Sequence, residues 1–263
     1  MNIYLAIPSR GQIDNETLMA IAFASRKHNV IPSPSACPLL SFGFNRHWCN
    51  AINQREKFHI DRFAMIHSDQ GADPWWLDAL EDERETCGAD LLSVACPLKN
   101  DEGLTSTGVY DYSRPDSVRR LTMKELYNLP ETFGIEDVRA MRRFEHDSDW
   151  RTDLNAIRDE VAKDTNDVLA VNTGMWICRL DRPWIEDPPY FDEQNGIAKV
   201  NGEWVPRVLS EDWFFSLQCA KRGIKVMATR KIGEDHYGRT KFTNREPWGT
   251  LKTDIANAPP NAH

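Results

Sequence analysis

Two side chains that can bind a metal ion stand at the end of a strongly apolar segment. Phe63–Ile66 is an apolar run of strand length, and His67, Ser68 and Asp69 follow it directly. A segment with a helical pattern, Pro74–Cys87, comes next. In open α/β sheets ligands bind at the carboxyl ends of the strands, so this pattern predicts that His67 and Asp69 face a ligand. The alternative is a polar strand-to-helix turn in which Asp69 bonds the backbone.

A pair of acidic residues opens a second helical pattern. Glu211 and Asp212 follow Ser210, a good N-cap residue, in a segment that ends at Gly223. A positioned carboxylate can take the proton of an attacking hydroxyl, so the pair is a candidate general base. Acids in a first helical turn also favour the helix dipole, and that alone could explain both residues.

A glycine and a histidine, each close to a strand pattern, are two further candidates for contact with a ligand. Gly174 interrupts the strand-like stretch Val168–Leu180, which indicates a bulge or a close approach of the backbone to a ligand. His236 comes after the last core strand, Ile224–Thr229. It is either a ligand-binding histidine or an ordinary one.

A repeated order of strands and helices must position these residues. The strand-like segments Asn2–Ile7, Arg62–His67 and Ala89–Cys96 alternate with helical patterns. This alternation predicts an α/β fold with a mainly parallel sheet flanked by helices, in a single domain. Residues from about 100 to 167 break the alternation and are predicted to form an inserted helical lid, with one helix over Asp147–Lys163.

Bulk properties narrow the class of protein. The chain has 263 residues, of which 41% are hydrophobic, and a net charge of −8, which counts against a general polyanion binder. No apolar run reaches membrane-spanning length, and the strand-like start of the sequence leads us to expect no signal peptide. The six cysteines are scattered without a C-x-x-C pair, so we expect reduced thiols and no cysteine-based zinc site. Together these features predict a cytoplasmic protein.

The order of four short motifs (HSD, NTG, SEDW and DHYG) resembles that of the GT-A class of nucleotide-sugar glycosyltransferases. The resemblance extends over roughly Asn2–Gly238 and is one of motif order, not a close match to one protein. It implies a GT-A-like (Rossmann-like) sheet. It also implies a metal-dependent transfer of a sugar from a nucleotide sugar to an acceptor hydroxyl.

The resemblance assigns residues to the donor. In the GT-A class the turn after the first strand cradles the nucleotide, which here corresponds to Pro8, Ser9 and Arg10. Basic residues near the diphosphate add electrostatic stabilisation. The further candidates for this role are Lys99, Arg230 and Arg239.

The resemblance also assigns residues to a metal ion. A D-x-D motif holds the metal in this class, and the matching tripeptide here is His67-Ser68-Asp69, so a histidine replaces the first acid. Asp69 matches the second acid and is the expected metal ligand. The late histidine of the class corresponds to His236. His67 is expected to contact the ribose or to orient the metal ligands without binding the metal itself. Ser68 is also expected to bind the donor.

The acid pair corresponds to the base of inverting members of the class, with Asp212 as the first choice and Glu211 close behind. In a retaining enzyme the pair would instead bind donor or acceptor hydroxyls. This interpretation requires Asp69, His236 and Asp212 to line one cleft.

Sugar transfer expels a nucleoside diphosphate whose growing negative charge must be neutralised. Mg²⁺ or Mn²⁺ can do this when it is bound by carboxylates and phosphates. An imidazole ligand favours Mn²⁺, and a UDP-sugar is the expected donor.

The acceptor is not readable from the sequence. The segments IPSRG, HSD and PLKNDEGLTSTG also resemble those of compact bacteriophage glycosyltransferases. This implies a modified base in DNA as one candidate acceptor and, if a bacteriophage encodes the protein, a location in the host cytoplasm. One alternative function is a nucleotidyltransferase, although Pro8–Gly11 is poor in the glycines expected there. The other is a non-catalytic nucleotide- or sugar-binding protein, for which His67 is the best support.

Overall fold

A computed structural model describes residues 1–110, 118–144, 168–200, 202–238 and 241–249. The described chain has an α/β architecture in which helices cover both faces of one large sheet. The strands are β1 (Asn2–Ser9), β2 (Asn29–Ala36), β3 (Ile60–Ile66), β4 (Gln70–Ala72), β5 (Leu91–Val94), β6 (Leu104–Tyr110), β7 (Val118–Thr122), β8 (Thr132–Phe133), β9 (Leu169–Ala170), β10 (Met175–Arg179), β11 (Gln194–Val200), β12 (Glu203–Leu209), β13 (Val226–Thr229), β14 (Glu234–Tyr237) and β15 (Lys241–Thr243). The helices are α1 (Asn15–Ala22), α2 (Leu40–Phe58), α3 (Trp76–Cys87), α4 (Met123–Leu126), α5 (Ile135–Phe144) and α6 (Glu211–Lys221).

The central sheet has seven strands in the order β2-β1-β3-β10-β5-β13-β8. Strands β1, β2, β3, β5 and β13 run in the same direction, whereas β10 and β8 run against them. The predicted mainly parallel sheet is therefore confirmed. The antiparallel strand in its centre was not predicted, because an apolar run does not encode strand direction.

Both faces of the sheet are buried, which explains the continuous apolar runs of its inner strands. On one face, Phe63 and Met65 of β3 pack with Phe44 and Trp48 of α2 in one cluster. On the other face, neighbouring residues of β3 such as Ala64 pack with α1 and α3 in a second cluster. Complete burial of a side chain such as Phe63 contributes about 1.5–3 kcal/mol, so these clusters fix the strand ends that carry the polar residues.

Two three-stranded sheets and a hairpin form in addition to the central sheet. One sheet has the order β15-β14-β4, the other has the order β7-β6-β9, and β11 pairs with β12. Strand β4 begins one residue after Asp69, and its antiparallel pairing with β14 sets His236 opposite Gln70. This short pairing places the late histidine beside the end of β3.

The region predicted as an inserted lid is described only in part. The predicted helix at Asp147–Lys163 lies outside the described residues. The described part contains β6, β7, β8, α4 and α5, and β8 joins the edge of the central sheet. No helix in the described part of the chain is both long and apolar enough to cross a membrane.

Candidate functional site

The backbone of His67-Ser68-Asp69 is held by three separate parts of the chain. The His67 N–H donates to the carbonyl oxygen of Gly174 at 2.8 Å. The Ser68 carbonyl oxygen accepts from the Asp14 N–H at 2.8 Å, and the Asp69 carbonyl oxygen accepts from the Tyr237 N–H at 2.8 Å. Because the backbone of each residue in the tripeptide is hydrogen-bonded to a different part of the chain, the backbone that carries these side chains has little freedom to move.

A cavity of about 780 Å³ opens at the carboxyl ends of β1 and β3. Eight residues that the sequence assigned to donor or metal binding line it together: Pro8, Ser9, Arg10, His67, Ser68, Asp69, Lys99 and His236. Gly11, which has φ of +111° in the turn after β1, also lines it. That backbone conformation favours glycine and allows the turn to bend around the cavity.

Asp69 lies at the cavity wall close to two basic side chains. Its Oδ2 atom lies 2.6 Å from Lys99 Nζ and 3.5 Å from His236 Nε2. Partial burial works against ionisation, but His236 and Lys99 hold the pKa of the Asp69 carboxyl well below its usual range. Asp69 is therefore a carboxylate at any pH at which the protein would act, as a cation-binding residue must be.

His236 presents one ring nitrogen to Asp69 and uses the other to fix its orientation. Its Nδ1 atom lies 2.8 Å from the carbonyl oxygen of Pro97, to which an Nδ1–H donates. Nε2 is then the ring nitrogen that remains to face Asp69 or a ligand. Hydrogen bonding of the far ring nitrogen to a backbone carbonyl is common for metal-binding histidines.

His67 stays neutral in this environment. Burial lowers the pKa of its imidazole to about 4, against the opposing effect of Asp69. The ring packs against Phe44 with centroids 5.1 Å apart, and its buried Nε2 atom has no hydrogen-bond partner among the described residues. A neutral, unpartnered nitrogen at the cavity wall fits a ligand hydrogen bond better than a charge–charge contact.

Asp69 and His236 are the candidate ligands for a metal ion at this cavity. Asp69 and His236 offer one carboxylate and one imidazole nitrogen to the same point. No group of three or more His, Cys, Asp or Glu side chains suited to hold a metal occurs in the part of the chain that the structure describes. Two protein donors fit an ion that takes its other ligands from a diphosphate and water, and the imidazole among them suits Mn²⁺ better than Mg²⁺.

The remaining basic candidates are placed differently. Arg230 packs over the ring of Tyr127 at 4.4 Å and lies 3.6 Å from Glu131, and it does not line the cavity. Arg239 lies outside the described residues. Of the four basic residues assigned to the diphosphate, Arg10 and Lys99 are the two found at the cavity wall.

The acid pair begins α6, as predicted, but in different surroundings from those of Asp69. Asp212 Oδ1 accepts from the Trp213 N–H at 2.8 Å and from the Ser210 hydroxyl. Burial raises the pKa of both carboxyls, and for Glu211 the neighbouring Asp212 raises it further. Neither residue lines the 780 Å³ cavity, although Arg10 at its wall lies within electrostatic reach of Glu211. Asp69 and His236 thus share one cleft, but Asp212 is not part of its wall, so the requirement that all three line one cleft is not met.

The strand break at Gly174 has a structural role that the sequence did not reveal. A Cβ atom at this position would lie 2.1 Å from Gln70 Nε2, so the backbone approaches a side chain and not a ligand. The buried Gln70 side chain in turn donates to Cys96 Sγ at 3.1 Å. Glycine is required here because any side chain would displace Gln70, which follows Asp69 directly.

The chain has a similar solved structure but no matching family model or curated sequence. No protein-family model and no curated protein sequence matches the chain. Among solved structures the chain is similar to A197 from STIV, with a TM-score of 0.49 and 12% sequence identity over 96% of this chain and 98% of that chain. Similarity at this level does not establish a shared family.

Proposed function

We propose that this protein is a metal-dependent glycosyltransferase of GT-A type that uses a nucleotide-sugar donor, with a UDP-sugar favoured. The observation that carries the proposal is the meeting of Asp69, His236, Lys99 and Arg10 at one cavity at the carboxyl ends of parallel strands. A cavity that combines a permanent carboxylate with two basic side chains suits a diphosphate bound through a cation.

Asp69 and His236 are the residues that would hold Mn²⁺ or Mg²⁺. The ion would supply charge neutralisation for the departing diphosphate. Lys99 and Arg10 would add positive charge from the protein beside the diphosphate. Ser9 and Pro8 lie at the end of β1, where the nucleoside would sit against the sheet.

The acid pair would supply the proton acceptor for the acceptor hydroxyl. A base works best when its pKa lies near the operating pH, and the surroundings of Glu211 and Asp212 raise both pKa values in that direction. Asp212 is the first choice for this role and Glu211 the second, and both lie outside the wall of the cavity. The acceptor itself is proposed only as a class, a hydroxyl that includes that of a modified base in DNA.

A second candidate function is a nucleotide-binding protein without catalysis. The specific observation that favours it is the ion pair between Lys99 and Asp69, which occupies the carboxylate that a metal would need. Replacement of the first acid of the motif by His67 is consistent with this alternative.

A thermal-shift panel tests the proposal. UDP, GDP, CDP and their sugars would be added with and without Mn²⁺ to wild type and to Asp69→Ala. We expect one nucleotide to stabilise wild type in a metal-dependent way, with loss of the effect in the variant. Stabilisation by a nucleotide, with neither hydrolysis nor transfer of its nucleotide sugar, would favour the binding protein. No stabilisation by any nucleotide would contradict both the transferase and the binding protein.

A further inference from the structure

The Lys99 ammonium lies beside Asp69 Oδ2, at the position that a metal ion bound to this oxygen would need. Lys99 Nζ lies 2.6 Å from Oδ2, and His236 Nε2 lies 3.5 Å from the same atom. An ammonium at hydrogen-bond distance occupies the space in which a cation bound to Oδ2 would sit. The Lys99 ammonium would also repel a metal ion bound to Asp69, and this repulsion is strong outside bulk water.

Lys99 has the freedom to leave this position. It lies on the loop that follows β5, and its side chain is 32% exposed. Lysine combines a long flexible stem with three donor hydrogens, so its ammonium can pass from one oxygen to another nearby. The residues on either side are held by the backbone, since the Leu98 N–H donates to the Leu104 carbonyl oxygen and the Asn100 N–H to the Leu98 carbonyl oxygen. The loop can therefore stay in place while the side chain moves.

We propose that Lys99 exchanges partners during donor binding: it neutralises Asp69 in the free protein and passes to the donor diphosphate when Asp69 takes a divalent ion. The proposal rests on the proposed function, because the second partner of Lys99 is the diphosphate. It goes further by linking metal binding to nucleotide binding through one side chain. A metal alone must displace Lys99 without compensation, whereas a metal with a diphosphate gives Lys99 a new anionic partner.

This exchange makes the two ligands cooperative. Each ligand alone binds weakly, and each raises the affinity for the other by the same factor, as thermodynamic linkage requires. Removal of the Lys99 charge should uncouple them. The metal alone then binds more tightly because Asp69 is free, and the diphosphate gains less from the metal because it has lost a basic contact.

The first test measures Mn²⁺ alone, from the electron paramagnetic resonance signal of the free ion, during titration of wild type and Lys99→Met. We expect at least about fivefold tighter Mn²⁺ binding by the variant, the effect of one unit charge at 4 Å even in bulk water. Lys99→Arg keeps the charge and should bind Mn²⁺ as weakly as wild type. Equal Mn²⁺ affinity of Lys99→Met and wild type would overturn the proposal.

Lys231→Met is a matched control. Lys231 Nζ lies 2.7 Å from Glu83, its side chain is 40% exposed, and neither residue lines the cavity. The substitution makes the same change in net charge and breaks a similar ion pair. It should leave Mn²⁺ binding unchanged, and tighter binding by this variant as well would mean that net charge, not partner exchange, explains the result.

The second test repeats the titrations with saturating UDP, and with GDP in a parallel series. We expect the nucleotide to raise Mn²⁺ affinity by a larger factor in wild type than in Lys99→Met. The same factor in both proteins would overturn the exchange while leaving the donor site intact. No effect of either nucleotide on wild type would contradict the proposed function, yet the result with Mn²⁺ alone would still decide whether Lys99 blocks Asp69.

Discussion

Asp69 at the end of β3 and the Glu211–Asp212 pair at the start of α6 hold the same chemical group in opposite surroundings. Asp69 faces Lys99 and His236, which keep its pKa low, whereas burial raises the pKa of each acid in the pair. A carboxyl that is always ionised is suited to bind cations, and one that titrates nearer to neutral pH is suited to move protons. The opposite pKa shifts therefore suit Asp69 to cation binding and the acid pair to proton transfer.

The largest expected effect comes from removal of the charge at the cation-binding region. Asp69→Asn keeps the shape of the side chain but removes the carboxylate that pairs with Lys99 and faces His236. We expect sugar transfer or donor hydrolysis to fall by about a thousandfold, because metal-assisted charge stabilisation is worth several kcal/mol. Asp73→Asn is the control, since Asp73 pairs with Arg245 outside this cavity. A similar loss in both variants would mean that the effect is not local to the cavity.

A smaller loss is expected at the acid pair. Glu211→Gln and Asp212→Asn should each lower kcat by about a hundredfold, the lower range for removal of a general base. Steady-state rates for wild type and both variants, with Glu203→Gln on the exposed hairpin as control, would measure this. Unchanged kcat in both variants would leave the pair with a structural or hydroxyl-binding role.

The pH dependence should distinguish the two regions. The base must be deprotonated, so wild-type kcat should fall as pH decreases through the raised pKa values of the pair. We expect the midpoint of that limb to lie well above about 4.3, the ordinary value for glutamate. Asp69 remains ionised over this range and should contribute nothing to the limb. A limb centred at or below the ordinary value would contradict the assignment of the base.

Thermal stability should change in opposite directions in the two regions. A carboxyl with a raised folded-state pKa contributes stability at low pH that is lost as pH rises through that pKa. At neutral pH, Glu211→Gln should therefore raise Tm or leave it unchanged. The lowered pKa of Asp69 means that its stabilising effect is present at neutral pH and is lost only in strong acid, so Asp69→Asn should lower Tm. Calorimetry at pH 7 would compare them, and a Tm change of the same sign in both variants would contradict the comparison.

The smallest effect on catalysis is expected at Gly174, which supports the cavity indirectly. Gly174→Ala forces Gln70 to move, because the new Cβ would lie 2.1 Å from its Nε2 atom. We expect a loss of about 1–3 kcal/mol in unfolding free energy and a modest loss of nucleotide affinity. Gly196→Ala on the hairpin, where no atom lies within 4 Å of the new Cβ, should change neither quantity.

The sequence predicted the parts of this fold that depend on local pattern. Apolar runs located β1 and β3, and the end of β3 located Asp69, because burial on both faces of a sheet leaves a continuous apolar signal. It did not predict β6 at Leu104–Tyr110, because that stretch falls in the region expected to form a helical lid. Thr105 and Thr107 are buried in that strand, and Gly108 lies close to the backbone of the neighbouring strand.

The candidate site depends more on contacts between distant parts of the chain. His236 was proposed from the order of motifs, and the contact that brings it to Asp69 is the short pairing of β4 with β14. A three-residue strand has no distinctive local pattern, so this pairing could not be read from the sequence. The ion pair of Lys99 with Asp69 and the contact of Gly174 with Gln70 are likewise properties of the folded chain.

A crystal structure of the protein with Mn²⁺ and the nucleoside diphosphate that stabilises it most would test the central claim most directly. The account predicts a metal ion bound by Asp69, His236 and the diphosphate, with the Lys99 ammonium on a phosphate oxygen and the nucleoside against Pro8 and Ser9. A nucleotide bound outside this cavity, or one bound within it while Lys99 still pairs with Asp69 and no metal is present, would contradict it.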